Sequence, residues 1–249
     1  MNKLFVYTTI LAALPLTAQV GPVPASDPAP MTRQQGEQML QELRLIRQLL
    51  ERQAKPAPAQ PQEEAPTRAK ITDLSGVSVL GNKDAPLTIV EYTDYQCPFC
   101  QRFHVTVFPE IKKNYIDTGK VRFFSKDMPL DFHPNAMRAA QAARCAGEQN
   151  KFWELRDVMG ANPNSLDMEH IIAFGADVKL DAKALRACID SNKYKDQVQT
   201  DVLEAMKIGA TGTPTFVIGK SVGNGVEGEL IVGALPFQLF DAKIKEIGK

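Results

Sequence analysis

Two cysteines, Cys97 and Cys100, are spaced so that both could take part in one chemical reaction. They enclose Pro98 and Phe99, follow a short apolar run and open a segment that reads as a helix. A sulfur at the start of a helix faces backbone N–H groups without partners and the positive end of the helix dipole, and both favour its thiolate. The second sulfur lies one turn further along the same face, where it can attack a mixed disulfide at the first. Pro98 fits the first turn because it has no N–H group to leave unpaired.

The same spacing also occurs in closed zinc sites, which need four ligands and commonly use two such pairs. The remaining cysteines, Cys145 and Cys188, are far apart in the sequence, and His104, His133 and His170 form no ligand cluster. We therefore predict a redox-active dithiol with no metal and no cofactor. His104 falls seven residues after Cys97 on the same predicted helix and could face the dithiol, but its polar neighbours favour a solvent-facing side chain, and we assign it no role.

Strands and helices alternate around the dithiol. Apolar runs predict strands at residues 87–93 and 121–125, separated by a helix from residue 97 to about 117. This order, without a hairpin turn, implies a right-handed parallel crossover. The chain then continues as five helices, two strands and a last helix, at residues 133–147, 151–159, 167–177, 181–190, 193–208, 215–218, 229–232 and 236–247. The sequence predicts an α/β core with an all-helical insertion at about residues 131–208.

Residues 1–25 have the layout of a signal peptide and leader. A single lysine, Lys3, precedes an apolar stretch at residues 4–16 that is too short to span a bilayer comfortably. We expect cleavage between Ala18 and Ala25, and the alternative is an uncleaved anchor. In either case the folded part is expected to be periplasmic or otherwise extracytoplasmic.

A helix and a spacer separate the leader from the α/β domain. Residues 26–54 form an N-terminal segment whose apolar residues follow the 4, 3, 4 spacing of a two-helix seam, namely Met39, Leu43, Ile46 and Leu50. We predict that its amphipathic helix, at residues 31–53, joins copies of the chain into a homo-oligomer. The alternative is that the helix folds back onto its own domain. Residues 55–70 are rich in Pro and Ala and are expected to form an extended, semi-rigid spacer.

Export also changes what the other two cysteines indicate, because disulfides persist in oxidising compartments. Cys145 and Cys188 both lie on predicted helices of the insertion. We predict that they form a structural disulfide, and two separate buried thiols are the alternative.

Several motifs, taken in order, resemble the DsbA-like branch of the thioredoxin superfamily. The similarity runs from about Val77 to the end of the chain. It is carried by Val90-Glu91-Tyr92 before the Cys-Pro-Phe-Cys sequence, Pro129-Leu130 followed by His133-Pro134, Arg144-Cys145-Ala146, Lys151-Phe152-Trp153 and Gly212-Thr213-Pro214-Thr215-Phe216. The resemblance implies a thioredoxin-like fold with an inserted helical domain, spanning residues 71–249.

The resemblance also implies roles for particular residues. Pro214, preceded by Thr213, is expected to be a cis-proline beside the dithiol that helps to bind an extended substrate, together with Pro98 and Phe99. From the residues alone, a trans proline opening a strand is the alternative.

Glu91 is expected to be a buried glutamate that helps to move protons at the resolving cysteine, Cys100, with Lys126 as a candidate partner. A surface-facing glutamate on an edge strand is the alternative. Phe99 stands where the strongest oxidants of the family have histidine. Phenylalanine cannot donate to the thiolate of Cys97, so we predict a weaker oxidant.

These observations favour an exported thiol-disulfide oxidoreductase, acting as a disulfide oxidase or isomerase. We expect Cys97 to be the exposed nucleophile and Cys100 the shielded residue. The expected partners are unfolded or disulfide-containing secreted proteins and an unidentified redox partner. Lys plus Arg and Asp plus Glu both number 29, so no net charge favours nucleic acid as a partner. The alternatives are an oligomeric chaperone or binding protein and a metal-delivery protein that uses the dithiol.

Overall fold

The computed structural model of the protein describes residues 31–54 and 67–249. The described residues fall into two units, residues 31–54 and residues 67–249. The predicted signal segment and residues 55–66 of the predicted spacer lie outside the described residues. Within the described ranges, no helix is both long enough and apolar enough to cross a membrane.

In the first unit, α1 (Arg33–Ala54) closely matches the helix predicted at residues 31–53. The hydroxyl of Thr32 accepts a hydrogen bond from the backbone N–H of Gln35 at 3.3 Å, and the backbone N–H of Thr32 donates to Gln35 Oε1 at 2.9 Å. This reciprocal capping box fixes where the helix begins. The apolar side chains of the predicted seam are between 51% and 59% exposed in the single chain, namely Met39, Leu43, Ile46 and Leu50.

The second unit is built on a mixed sheet of six strands. The strands are β1 (Arg68–Ile71), β2 (Val79–Leu80), β3 (Leu87–Thr93), β4 (Val121–Asp127), β5 (Thr215–Val222) and β6 (Gly225–Val232). Their order across the sheet is β1-β6-β5-β3-β4-β2. β3 and β4 pair in parallel, as the strand, helix, strand order predicts, and the other pairs are antiparallel.

The two short strands at the sheet edges were not predicted from the sequence. β1 begins at Arg68, so the folded domain starts before the predicted boundary at residue 71 and the spacer ends before residue 70. A run of four residues in β1 and of two in β2 is too short to show a periodic pattern. Pairing with β6 and β4, rather than local sequence preference, defines these strands.

The helix that opens at the dithiol runs between β3 and β4, and we call it the dithiol helix. It consists of α2 (Pro98–Arg102), a π-helical segment (Phe103–Val107), α3 (Phe108–Ile111) and a second π-helical segment (Lys112–Ile116). The insertion between β4 and β5 consists of α4 (Ala136–Gly147), α5 (Phe152–Ala161), α6 (Met168–Asp177), α7 (Ala182–Asp190) and α8 (Lys195–Lys207). The last helix is α9 (Phe237–Ile247). The α/β core with a helical insertion is therefore as predicted.

Side chains alternate between the two faces of the sheet, and an apolar cluster covers each face. Ile89 packs on the face covered by the dithiol helix and α9, with aromatic neighbours that include Phe103 and Phe240. Val90 and Tyr92 point to the opposite face, which Leu74, after β1, and Ala205 of α8 help to cover. Because the side-chain period of a strand is two residues, Glu91 shares the face of Ile89 and points towards the dithiol helix.

A disulfide and a buried charge cluster hold the insertion together and attach it to the sheet. Cys145 of α4 is bonded to Cys188 of α7, with their Cα atoms 5.9 Å apart. Arg144 Nε donates to Asp127 Oδ2 of β4 at 2.6 Å, and a terminal nitrogen of the same guanidinium contacts Asp201 of α8. Lys126 Nζ lies 3.0 Å from Asp201 Oδ1. The end of β4 is thereby tied to two helices of the insertion.

Candidate active site

Cys97 sits where β3 turns into the dithiol helix. It is the N-cap residue of α2, with an extended backbone at φ −73° and ψ 124°, and Pro98 follows in the first turn. The backbone N–H of Cys97 donates to the carbonyl oxygen of Asp94 at 3.1 Å. The backbone N–H of Asp94 in turn donates to Cys100 Sγ at 3.5 Å. Both sulfurs are therefore fixed by the same turn.

Several hydrogen-bond donors stabilise the thiolate of Cys97. Its pKa is lowered to about 5, chiefly by a hydrogen bond from the thiol of Cys100, while burial opposes this change. The side chain of Thr213 and the backbone N–H groups of Cys100 and Phe99 lower the pKa further. The N–H groups at the start of the helix act in the predicted direction, but the neighbouring thiol has the largest effect.

Cys100 is affected in the opposite direction. Burial raises its pKa well above the usual range, and the nearby charges of Cys97 and Glu91 raise it further. Both cysteines are only 4% exposed, so the expectation that Cys97 is exposed is wrong. The two thiols differ in charge and hydrogen bonding rather than in accessible area.

The loop before β5 covers the first sulfur. The Thr213–Pro214 peptide bond is cis, and Cys97 Sγ lies 3.4 Å from the carbonyl oxygen of Thr213. The hydroxyl of Thr215 donates to the carbonyl oxygen of Gly212 at 2.6 Å, which closes this turn. The carbonyl oxygen of Thr213, at the cis bond to Pro214, therefore lies directly against the first sulfur.

Glu91 is buried beneath the dithiol and forms an ion pair with Arg156. Its side chain is 1% exposed, and Arg156 donates to its Oε2 at 2.5 Å. Burial raises the pKa of Glu91, and Arg156 partly offsets this effect. The expected partner, Lys126, lies on the opposite face of the sheet and pairs with Asp201 and Glu204 instead. Side-chain alternation along β4 causes this difference, since Ser125 and not Lys126 is opposite Glu91.

Arg156 is the site residue that the sequence analysis missed. The spacing of the buried side chains of α5 carries a signal for it, because Arg156 falls within the buried stripe formed by Phe152, Leu155 and Met159. A charged residue in a buried helical stripe requires a buried partner of opposite charge. The sequence does not say which carboxylate this partner is, because the pairing joins α5 to a distant strand.

His104 does not face solvent as expected. Its side chain is 11% exposed, and its ring is stacked on Phe108 with centroids 5.8 Å apart. Its Nδ1 lies 3.1 Å from a terminal nitrogen of Arg156. Burial and the charge of Arg156 lower the pKa of His104 to about 4. The helical insertion, which no local pattern on the dithiol helix reveals, covers this residue.

A second buried carboxylate, Asp94, shapes the neighbouring loop. Its Oδ1 accepts from the backbone N–H of Gln96 at 2.7 Å, and its Oδ2 accepts from the backbone N–H of Leu130 at 2.8 Å. Oδ2 also lies 2.8 Å from His133 Nδ1. The loop after β4 is thereby attached to the turn that carries the dithiol.

Two aromatic side chains in this region are exposed to solvent. Phe99, between the two cysteines, is 54% exposed, and the guanidinium of Arg102 lies 5.4 Å from the centre of its ring. Phe132 is 76% exposed and packs edge-on against His133. Among the described residues, no three His, Cys, Asp or Glu side chains are grouped so that they could hold a metal ion.

Residues 74–228 match a family model described as "Thioredoxin". The match covers more than half of the chain, so the protein belongs to this family. The dithiol, the cis-proline and the helical insertion place it in the DsbA-like branch of this family, as the sequence motifs indicated.

Curated relatives and solved structures agree with this class. Disulfide bond formation protein D of Bacillus subtilis is 28% identical over 158 residues, which cover 60% of this chain and 70% of that protein. The crystal structure of alpha-DsbA1 from Wolbachia pipientis has a TM-score of 0.64 and 26% identity, covering 72% of this chain and 94% of that one.

A different relative matches over only part of its length. Na(+)/H(+) antiporter NhaA 3 of Salinispora tropica is 33% identical over 141 residues, which cover 56% of this chain. This chain spans about a fifth of that relative, 21% of its length. The similarity therefore concerns one segment of the antiporter.

Proposed function

We propose that the protein exchanges disulfides with secreted protein substrates through Cys97 and Cys100. The observation that carries this proposal is the contrast between the two thiols, one with a pKa lowered to about 5 and one kept protonated by burial. The thiolate of Cys97 attacks one sulfur of a substrate disulfide, that bond breaks, and a mixed disulfide forms. Cys100 then loses its proton and attacks Cys97, which releases the reduced substrate and leaves the Cys97–Cys100 disulfide. The reverse sequence introduces a disulfide into a reduced substrate.

Glu91 is the proposed proton acceptor and donor for Cys100. It is buried, its charge affects the pKa of Cys100, and its Oε1 has no hydrogen-bond partner among the described atoms. A carboxyl group whose pKa is raised by burial can hold or release a proton closer to neutral pH than an ordinary glutamate. It can therefore take the proton when Cys100 attacks and return it when Cys100 is the leaving group.

The proposed substrate-binding surface consists of Thr213, Pro214, Pro98 and Phe99. Thr213 lies against Cys97 and precedes the cis bond to Pro214, and the backbone of this loop can pair with an extended chain. Phe99 offers an exposed ring beside the sulfur, where an apolar residue next to a substrate cysteine can pack. Such a surface suits unfolded chains, which expose both their backbone and their apolar side chains.

We further propose that α1 joins copies of the chain into a homo-oligomer. Support comes from the half-exposed seam of Met39, Leu43, Ile46 and Leu50, each worth roughly 1.5 to 3 kcal/mol when fully buried, before ordering costs. An oligomer holds several dithiols around one substrate. This arrangement favours isomerisation, and so does the weaker oxidant expected from Phe99.

An extracytoplasmic location is part of the proposal. The signal-like segment at residues 1–25 supports it, and so does the disulfide between Cys145 and Cys188, because such bonds are rare in reducing compartments. A separate redox partner must return the dithiol to its working state after each net oxidation or reduction.

The test is repair of a ribonuclease with scrambled disulfides, combined with light scattering. Three proteins are compared: the chain without its signal segment, its Cys97→Ser variant, and a chain that begins at Glu63 and so keeps β1 intact. We expect an oligomer that repairs the substrate, an inactive Cys97→Ser variant, and a monomer from Glu63 that still reacts with glutathione but repairs poorly. Full repair by the Cys97→Ser variant would instead indicate a chaperone. Equal monomer masses with and without α1 would rule out the oligomer, and tight stoichiometric metal binding by the reduced protein would favour metal delivery.

A further inference from the structure

The ion pair beneath the dithiol has a third member. The side chains of Glu91 and Arg156 are 1% and 2% exposed, so water has little access to this ion pair. His104 lies on the dithiol helix, and its Nε2 is 3.1 Å from the backbone carbonyl oxygen of Asp157. A carbonyl oxygen can only accept and a guanidinium can only donate. Nε2 of His104 therefore carries the hydrogen, and Nδ1 accepts from Arg156 at 3.1 Å.

The acceptors around Arg156 determine where its guanidinium points. Nε donates to Ser125 Oγ at 3.2 Å, one terminal nitrogen donates to Glu91, and the other donates to His104. Asp157 Oδ1 is a longer contact of that last nitrogen, at 3.4 Å. The aromatic rings of Phe108 and Trp153 also lie against the guanidinium, 4.9 Å and 5.3 Å from its carbon, but rings do not fix its rotation as hydrogen bonds do. His104 is thus the acceptor that the dithiol helix supplies.

The end of α5 is shaped to receive the imidazole. A Cβ atom at Gly160 would lie 2.9 Å from His104 Cδ2, so only glycine leaves room for the ring at its present place. Gln101 Nε2 donates to the carbonyl oxygen of Ala161 at 3.0 Å and ties the same two helices together one turn earlier. The insertion and the dithiol helix are therefore joined around the buried ion pair.

We propose that His104 is a positioning residue, which holds Arg156 on Glu91 and thereby sets the charge of the carboxyl group that exchanges a proton with Cys100. This inference rests on the proposed disulfide exchange, in which the helical insertion takes part because it supplies Arg156. His104 remains neutral and does not transfer the proton itself, because both of its nitrogens are engaged with Arg156 and the backbone of Asp157.

The step affected is release of the substrate from the mixed disulfide. The proton of the Cys100 thiol passes to the carboxylate of Glu91, and the new thiolate attacks Cys97 Sγ. The Cys97–Cys100 bond forms, the bond to the substrate sulfur breaks, and the substrate leaves as a thiolate. In the complete exchange the substrate disulfide is reduced and the dithiol of Cys97 and Cys100 is oxidised, so no added oxidant is needed.

Loss of the acceptor on His104 leaves one nitrogen of Arg156 without its nearest partner and loosens the pairing with Glu91. Burial raises the pKa of Glu91, and Arg156 then lowers it less, so the pKa of Glu91 rises further. The carboxylate becomes available only at higher pH. The charged and titratable groups that face this site are Arg156 and Asp157 from α5, Cys100 and His104 from the dithiol helix, and Tyr95 from the turn after β3.

The experiment measures how fast Cys100 resolves a mixed disulfide between Cys97 and glutathione, as a function of pH. Trp153 is the single tryptophan of the chain and packs against Arg156, so its fluorescence can follow a single turnover. For His104→Leu we expect the pH midpoint of resolution to rise by about half a unit or more, with a rate at neutral pH about threefold lower. His104→Asn, whose amide oxygen can accept from Arg156, should restore most of the rate. The thiolate titration of Cys97 should be unchanged in both variants, because the largest effects on its pKa come from Cys100, from burial, and from Thr213 and Phe99.

A second variant covers the case in which His104→Leu fails to fold. Gly160→Ala displaces the imidazole without removing it and should raise the midpoint in the same direction. Unchanged midpoints in the folded variants would overturn the inference, even if their thermal stability fell. An unreactive Cys97 in the unaltered protein would instead refute the proposed function, so the two failures are distinguishable.

Discussion

Replacing Cys97 with serine should change how the stability of the reduced protein depends on pH. In the folded reduced protein the pKa of Cys97 is about 5, whereas a free cysteine in an unfolded chain has a pKa of roughly 8.5. The folded value is the lower one, so the stabilisation from the thiolate is complete above about pH 8.5 and is lost as the pH falls through about 5.

The size of the effect follows from this difference. At pH 7, which is about two units above the pKa of Cys97 in the folded protein, the thiol is ionised in the folded state but still protonated in the unfolded chain. Each of these units corresponds to about 1.4 kcal/mol. We therefore expect about 2 kcal/mol of stabilisation at pH 7, after allowance for screening by solvent, and less than about 1 kcal/mol at pH 5.

The assay compares the unaltered protein with Cys97→Ser by guanidinium denaturation between pH 5 and pH 8, both reduced with a phosphine. Other titrating groups, such as Asp127 with its pKa raised by burial to about 6, are present in both proteins and cancel in the difference. The difference in the free energy of unfolding should grow by about 2 kcal/mol from pH 5 to pH 7. A difference in the free energy of unfolding that does not depend on pH would refute the conclusion that the folded protein stabilises the thiolate of Cys97.

Three further changes test separate parts of the site. Cys100→Ala should raise the pKa of Cys97, because it removes the hydrogen bond with the largest effect, and the ultraviolet absorbance of the thiolate measures this; an unchanged titration would contradict it. Phe99→His should lower that pKa and make the dithiol a stronger oxidant in equilibrium with glutathione, and no change would show that this position does not set the potential. Replacing Cys145 and Cys188 together by alanine should cost about 3 to 4 kcal/mol in chemical denaturation, since they close a loop of 43 residues, whereas a loss well below 1 kcal/mol would argue against a structural role.

The parts of the fold that the sequence predicted are those with a long periodic signal. β3 is a continuous buried run from Leu87 to Thr93, and the helices of the insertion each show an apolar stripe and a terminal turn residue. β1 and β2 exist because partner strands pair with them, and pairing between distant segments leaves no local pattern.

The same distinction explains which site residues were found. Cys97, Cys100 and Pro214 are recognised by their immediate neighbours in the sequence. The partner of Glu91 is not, because strand alternation turns Lys126 away and a residue of the insertion, Arg156, takes its place. A contact made across two packed elements depends on how they pack, and the sequence of either element does not determine this.

Trapping the mixed disulfide identifies the sulfur that attacks the substrate, which we propose is that of Cys97. A Cys100→Ala variant, reduced and mixed with scrambled ribonuclease, cannot release its substrate, and peptide mass spectrometry identifies the linked cysteine. A ribonuclease peptide linked to Cys97, absent when Cys97→Ser is added to the variant, is the predicted result. If no covalent complex forms, Cys97 is not the sulfur that attacks the substrate.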